Sequence, residues 1–435
     1  MRSAPAGPVC PMLLACSIAA VAGGWPPPAA ADWPQWRGPT RDGRLPAGQR
    51  LPAALAAGPE IIWRVACGGG FASPVLAGGK LFHFDCRDGK ETLHALDAAS
   101  GRTIWSAPVD ETFKDGFGTG PRCTPLADGQ RVFAQSCRGE LQCRAADDGK
   151  LLWRTNYVAD FGAVFIGERG SAVGATRHGN NGSPVIDGQH LIAPAGGASG
   201  ASGAGLVCFR KANGEVVWKA GADPAAYASP VVAELAGRRQ VVSFSAAAVV
   251  GVDARDGALL WRVPVKTSLG RHCVTPVIAG DIVVVGSYQA GLLGIRVRRA
   301  GETLAAAVAW TDKDLSPNVS TPVVIGERFV LGHGRGRSLF CVEADGGKAA
   351  WTKADAVACP AGRAAAALLT DGRRVLMLGQ AGELALLAAD AGQFRLIGTA
   401  KVCGPTWCTP ALADGRLYLR DEKSLLCVRL GGGTE

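Results

Sequence analysis

The 435-residue sequence predicts an all-β fold: an eight-bladed β-propeller of four-stranded antiparallel blades, closed by N- and C-terminal strands that share one blade. Three observations carry this. Ser/Thr-Pro followed by an apolar pair recurs at Ser73-Pro74, Thr124-Pro125, Ser183-Pro184, Ser229-Pro230, Thr275-Pro276, Thr321-Pro322 and Thr409-Pro410, in steps of 51, 59, 46, 46, 46 and 88 residues. Each interval reads as short alternating strands between Gly-containing turns. The last unit stops one strand short, while a strand without a unit of its own, EIIWRV at Glu60–Val65, precedes the first.

In chain order, residues 1–31 read as a signal peptide. Arg2 is the only charge there, an apolar stretch runs from Met12 to Trp25, and Ala29-Ala30-Ala31 precedes Asp32. Export to the periplasm or the extracellular space follows. Leu13-Leu14-Ala15-Cys16 has lipobox form, a rival processing route that the prolines at 8 and 11 weaken. Residues 32–60 form an N-terminal strap, 61–430 the propeller and 431–435 a tail. No stretch of 18 uninterrupted apolar residues follows the leader, so no transmembrane span is expected.

The first unit, SPVLAGGKLFHFDCRDGKETLHALDAASGRTIW, shows the grammar. Proline heads a strand, where its missing N–H does least harm. Gly78-Gly79 turns the chain, KLFHF and TLHAL alternate, and RTIW ends the unit; Asp128-Gly129, Asp187-Gly188, Asp371-Gly372 and Asp414-Gly415 supply the same turn elsewhere. The 88-residue step is twice 44, which places a proline-free unit at Ala367-Leu368 and makes eight. Pairing Ile61-Ile62-Trp63 with the final LLCVRL completes the eighth blade and leaves no open sheet edge.

Lys plus Arg is 46 against 37 Asp plus Glu, a net charge of +9, with no block of five like charges; a nucleic-acid groove is not indicated. Twelve cysteines follow Asp32 without a CxxC, a CxxCH or an adjacent pair, so zinc-ribbon, thioredoxin-like and attached-haem chemistry is not expected. Cys143, Cys208, Cys341 and Cys427 fall within strand patterns and read as small core residues. Cys403 is placed to pair with Cys67 or Cys359 across neighbouring blades.

The strand ends carry a finer pattern. ALDAASGRTIW and GVDARDGALLW hold Ala95 or Gly251, Asp97 or Asp253, Gly101 or Gly257, and Trp105 or Trp261 at fixed offsets. This resembles the tryptophan-docking motif of pyrroloquinoline-quinone (PQQ)-like eight-bladed propellers, a group that includes the quinoprotein alcohol dehydrogenases and BamB-like proteins. DWPQWRGPTRDG, Asp32 to Gly43, is similar to the opening of exported, planctomycete-type PQQ-repeat proteins. The resemblance implies docking roles for Trp63, Trp105, Trp153, Trp218, Trp261, Trp310 and Trp351, with Leu396 at that position in the seventh unit. Asp is also lost at Ala145 and Arg210.

The loops entering the inner strands surround one mouth of the channel. They carry Phe71, Arg122, Arg177, His178, Asn180, Tyr227, Arg271, His272, Asn318, Arg363 and Trp407, and no acid within the stretches read. Guanidinium groups beside aromatic platforms suit an anionic partner. The expected function is a non-catalytic exported scaffold, monomeric and cofactor-free, that binds a protein or an anionic polysaccharide there. The alternative implied by the resemblance is a dehydrogenase holding PQQ with calcium. The chain lacks that group's vicinal Cys-Cys, and Glu168, Asn180, Asp314 and Asn318 are its only candidate ligand or base residues. No Gly-x-Ser-x-Gly elbow or two-His metal motif points to a hydrolase.

Overall fold

A proline that begins a strand breaks no ladder bond, and every Ser/Thr-Pro pair stands at the head of a short inner strand. The computed structural model describes Met1 and residues 32–163, 178–197, 203–334, 338–356 and 365–431. The targeting segment with Cys16 lies outside them. Eight four-stranded antiparallel sheets make the propeller. Blade 1 runs outward as Val75–Ala77, Lys80–Arg87, Lys90–Asp97 and Thr103–Glu111. Blade 8 is the composite that the sequence requires: Ala411–Ala413, Arg416–Arg420 and Ser424–Arg429, finished by Glu60–Ala66. Trp63 pairs with Cys427 and Ala66 with Ser424, and Arg429 Nε lies 2.6 Å from Glu60 Oε2. A single helical turn, Tyr157–Phe161, capped by the Asn156 side chain and ended by Gly162 at φ 61, follows the outer strand of blade 2. Among the described residues no helix is long and apolar enough to cross a membrane.

The repeated hydroxyls form a belt around the channel. The backbone N–H of Ser73 donates to Thr124, Thr124 to Ser183, Ser183 to Ser229, Ser229 to Thr275, Thr275 to Thr321, and Thr409 back to Ser73. Blade 7 offers Ala367 instead of a hydroxyl, and there the Ala366 N–H donates to Ser320 Oγ. Each link satisfies an inner-strand N–H that would otherwise be buried without an acceptor.

Indoles lock the outer seams. The Nε1–H groups of Trp63, Trp105, Trp153, Trp218, Trp310 and Trp351 donate to Ala98, Ala146, Lys211, Ala254, Ala344 and Asp390 carbonyls of the following blade, at 2.7–3.3 Å. Trp261 departs from the expected role and donates to Gln240 Oε1 of its own blade at 2.5 Å. The cause lies in blade 5, whose outer hairpin, Gly291–Ala300 with Thr303–Asp312, is extended and lacks the docking turn. It packs Leu304 and Ala306 against the same cluster as Trp261. In blade 7 a longer outer turn, closed by the Ala388 N–H on the Arg395 carbonyl, places Gly398, rather than Leu396, opposite Leu386 where the indole belongs. Leu55 of the strap comes nearest to Gly398, and Leu396 remains exposed.

The four strand cysteines face these indoles directly: Cys427 pairs with Trp63, Cys143 with Trp153, Cys208 with Trp218 and Cys341 with Trp351. Ala95, Gly251 and Gly294 hold the same place opposite Trp105, Trp261 and Trp310. A small residue there leaves room for the ring. Cys67 and Cys403 are separate free thiols, which removes that proposed pairing; Cys359 lies outside the described residues.

Residues 32–55 thread into the ring. Trp33 is buried and exchanges two backbone hydrogen bonds with Leu76 of blade 1. Arg37 donates to the Thr321 and Pro322 carbonyls of blade 6, and Arg41 to the Ser183 and Pro184 carbonyls of blade 3. Both arginines hold left-handed backbone conformations, φ 63 and 60. Desolvation lowers their pKa values, to about 10 and about 9, which leaves both charged at neutral pH. Two cations thus tie blades 3 and 6 together across the channel.

Candidate binding site at the channel mouth

The strap makes the channel a cup. Trp36 and Arg37 contribute to its floor, and inner-strand hydroxyls, including Ser73, Thr124 and Ser229, to its lower wall; the cavity is about 420 Å³. Phe71, Phe117, Arg122, His178, Tyr227, Arg271, Asn318 and Trp407 line it higher up. Seven of these eight were expected from the loops before the inner strands; Phe117 was not.

Two expected residues turn elsewhere. Asn180 is buried with its amide spent on the Pro194 and Ala195 carbonyls and on Gln135. His272 is fully buried and stacks on Phe244, with ring centroids 4.1 Å apart and planes 9° apart; burial lowers its pKa to about 4. Both lie on the loops that enter inner strands, but their side chains serve the fold. Arg177, Arg363 and Glu168 lie outside the described residues. Asp314 is exposed away from the cavity.

A small hairpin, Lys114–Asp115 with Gly118–Thr119, corrects the electrostatic picture. It lies between the outer strand of blade 1 and the inner strand of blade 2, within the 51-residue step that exceeds the usual 46. Its Asp115 carboxylate accepts two hydrogen bonds from Arg122, each 2.7 Å, and lies 2.6 Å from His178 Nδ1. Burial pushes the carboxyl up, but the Arg122 and His178 bonds outweigh it and hold Asp115 at about 2. Arg122 is therefore neutralised, and it also donates to the His178 carbonyl. Its guanidinium lies over Phe71 and Phe113 at 5.3 and 5.2 Å. The sequence signal for this was KDGFG inside an overlong step.

Arg271 has no ion-pair partner among the described residues. It and the Arg37 floor carry the positive charge of the cup. The imidazole of His178 is kept neutral, since burial lowers its pKa against the pull of Asp115. The Nδ1–H tautomer donates to Asp115, which leaves Nε2 as an acceptor without a partner. The Tyr227 hydroxyl is also unpartnered, and burial raises its pKa. Phe71 and Phe117 lie 5.7 and 5.8 Å from Trp407, forming a continuous aromatic wall. The cup combines apolar faces, one unpaired cation and two unmet polar atoms, which is the equipment of a binding pocket.

A family model described as outer membrane protein assembly factor BamB matches residues 47–153 and 89–353. The outer membrane protein assembly factor BamB of Yersinia pestis is 23% identical over 324 residues, spanning 68% of this chain and 71% of that protein. The crystal structure of BamB from Moraxella catarrhalis superimposes with a TM-score of 0.58 at 14% identity, covering 86% of this chain and 99% of that one. Quinohemoprotein alcohol dehydrogenase ADHIIG from Pseudomonas putida HK5 gives 0.59 at 13% identity, covering 93% and 81%. At these identities the two structures share the fold alone.

Proposed function

Because this chain belongs to the family described as outer membrane protein assembly factor BamB, we propose that it is an exported, non-catalytic propeller scaffold that receives its partner at the channel mouth. The partner class that family membership favours is a protein, engaged in the assembly role named for its relatives. The observation that supports this most is the cup itself. It is walled by aromatic rings, and the Asp115 carboxylate behind that wall is engaged by Arg122 and His178.

The quinoprotein alternative needs a donor set for calcium and a base over the quinone. The residues present do not fit it. Asn180 is spent on backbone carbonyls, Asp314 lies off the cavity, and among the described members of that set only Asn318 reaches it. Trp36 and Arg37 also fill the channel below.

A photo-crosslinking amino acid at Phe117 or Trp407, expressed with the chain in its host, tests the scaffold reading. Discrete protein adducts from these two positions, absent from a control at Gly78 on the opposite face, are the expected result. Dye-linked alcohol or sugar oxidation by the mature chain with PQQ and calcium, without such adducts, overturns it.

A further inference from the structure

Three features of the cup have no use within the protein. Arg271 stands on the wall without an acid among the described residues. His178, 4% exposed, has its Nε2 unpartnered because Asp115 claims Nδ1. The Tyr227 hydroxyl is buried and unpartnered beside it, the two rings 5.7 Å apart. A buried polar atom without a partner is costly, so such atoms mark places where a ligand supplies the missing bond.

We propose that the cup binds a hexuronic acid unit, a sugar ring bearing a carboxylate, in a subsite formed by Arg271, His178, Tyr227, Phe117 and Trp407. This deepens the scaffold reading by naming a ligand for the same mouth. The carboxylate meets the Arg271 guanidinium, the side chain built for two-point oxyanion contact. A ring hydroxyl donates to His178 Nε2, which its bond to Asp115 makes an acceptor. A second ring oxygen takes the Tyr227 hydroxyl. The C–H face of the sugar lies on the Trp407 and Phe117 rings, whose centroids are 5.8 Å apart.

The set discriminates. A neutral hexose satisfies His178 and Tyr227 but leaves Arg271 unused. A simple carboxylate does the reverse. An apolar peptide terminus stacks and pairs its carboxylate, and meets the two ring-edge atoms only through its backbone amides. The strap floor closes the cavity from below, and its roughly 420 Å³ admits one or two sugar units and no through-running chain.

The test is calorimetric titration of the chain from Asp32 onward with galacturonic acid, digalacturonic acid, galactose, acetate and a peptide ending in phenylalanine. The acid sugars are expected to bind at least tenfold more tightly than galactose and acetate. Arg271→Gln should remove that preference, and Tyr227→Phe should weaken both acid sugars by about 3–10-fold, with unfolding midpoints unchanged. Tighter binding of the dimer than the monomer identifies a polymer end as the source, and equal binding a free sugar acid. Acid sugars no tighter than acetate, a peptide preferred over them, or an Arg271→Gln variant with intact preference each overturn the assignment. Adducts at Phe117 and Trp407 report separately on the scaffold reading. Those adducts with no sugar binding reject the ligand alone, and sugar binding without protein adducts rejects the protein partner.

Discussion

Indole docking makes a quantitative prediction within blade 3. Gly188 and Gly214 both adopt left-handed backbone, φ 57 and 76. Placing a Cβ there costs about 1–2 kcal/mol at either position. The surroundings differ. A Cβ at Gly188 meets nothing within 4 Å, whereas at Gly214 it falls 2.7 Å from Trp153 Cε3 and 2.8 Å from Cδ2. The indole cannot retreat freely, because its N–H is held by the Lys211 carbonyl at 3.1 Å. Overpacking of this kind adds about 1–3 kcal/mol. Gly188→Ala should therefore lower stability by about 1–2 kcal/mol and Gly214→Ala by about 2–5, read from urea midpoints by far-UV circular dichroism. In a Trp153→Leu background the excess at Gly214 should vanish, which isolates the contact as a coupling energy. Equal losses at the two glycines, or an excess that survives Trp153→Leu, would refute the docking argument.

Three further outcomes follow from named groups. Glu91 is buried, and desolvation raises its carboxyl to about 8 from an ordinary 4.5; the unfolded chain ionises first, so stability falls as pH rises across that window, by up to about 1.4 kcal/mol per unit. Glu91→Gln should flatten this slope and stabilise the protein by about 1–3 kcal/mol at pH 8, with little effect at pH 4, in paired urea titrations. Asp115 runs the other way: its folded value is depressed to about 2, so its contribution is complete above the ordinary 3.8 and is lost as pH falls toward 2. A change in Trp407 fluorescence over that acid range, absent in Asp115→Asn, checks it. Gln240→Ala leaves the Trp261 indole N–H buried without its acceptor and should cost about 1–3 kcal/mol, whereas Gln142→Ala, which faces no indole, should not alter the Trp261 environment by near-UV circular dichroism.

The fold was legible because its strongest constraints recur. A Ser/Thr-Pro pair heads seven of the inner strands for two reasons at once. Proline suits a strand start, and the hydroxyl accepts the neighbouring blade's N–H. A proline-free unit at Ala367 was recoverable by spacing alone, since its two neighbours held the period. The overhanging EIIWRV strand found its partner because a three-stranded last unit leaves an unpaired edge. Finer registry was harder to read. The outer turn of blade 7 closes from Ala388 to Arg395, where that of blade 1 closes from Asp97 to Arg102, and an offset count fixed on the other blades cannot register two extra turn residues. Trp261 failed differently: its own offsets are regular, and the missing partner lies in the next blade's hairpin.

The site was legible as a set of loops but not as a set of contacts. Loop position places an α-carbon at the mouth; it does not say which way the side chain turns. Tyr227 and Arg271 face the cavity, while His272, next in sequence to Arg271, turns into the blade and stacks on Phe244. The charge balance was misread for a related reason. Asp115 is seven residues from Arg122 in sequence and outside the GTGPRC loop, yet the hairpin from Lys114 to Thr119 folds it back into a bidentate pair. One inserted acid thereby changes a ring of arginines into an asymmetric cup. Arg122 becomes scaffolding for His178, and the unpaired charge on the described wall is that of Arg271. Removing the acid should reverse that assignment: with Asp115→Asn, Arg122 regains a free guanidinium, and the mouth should bind simple carboxylates such as acetate more tightly than the unaltered protein does.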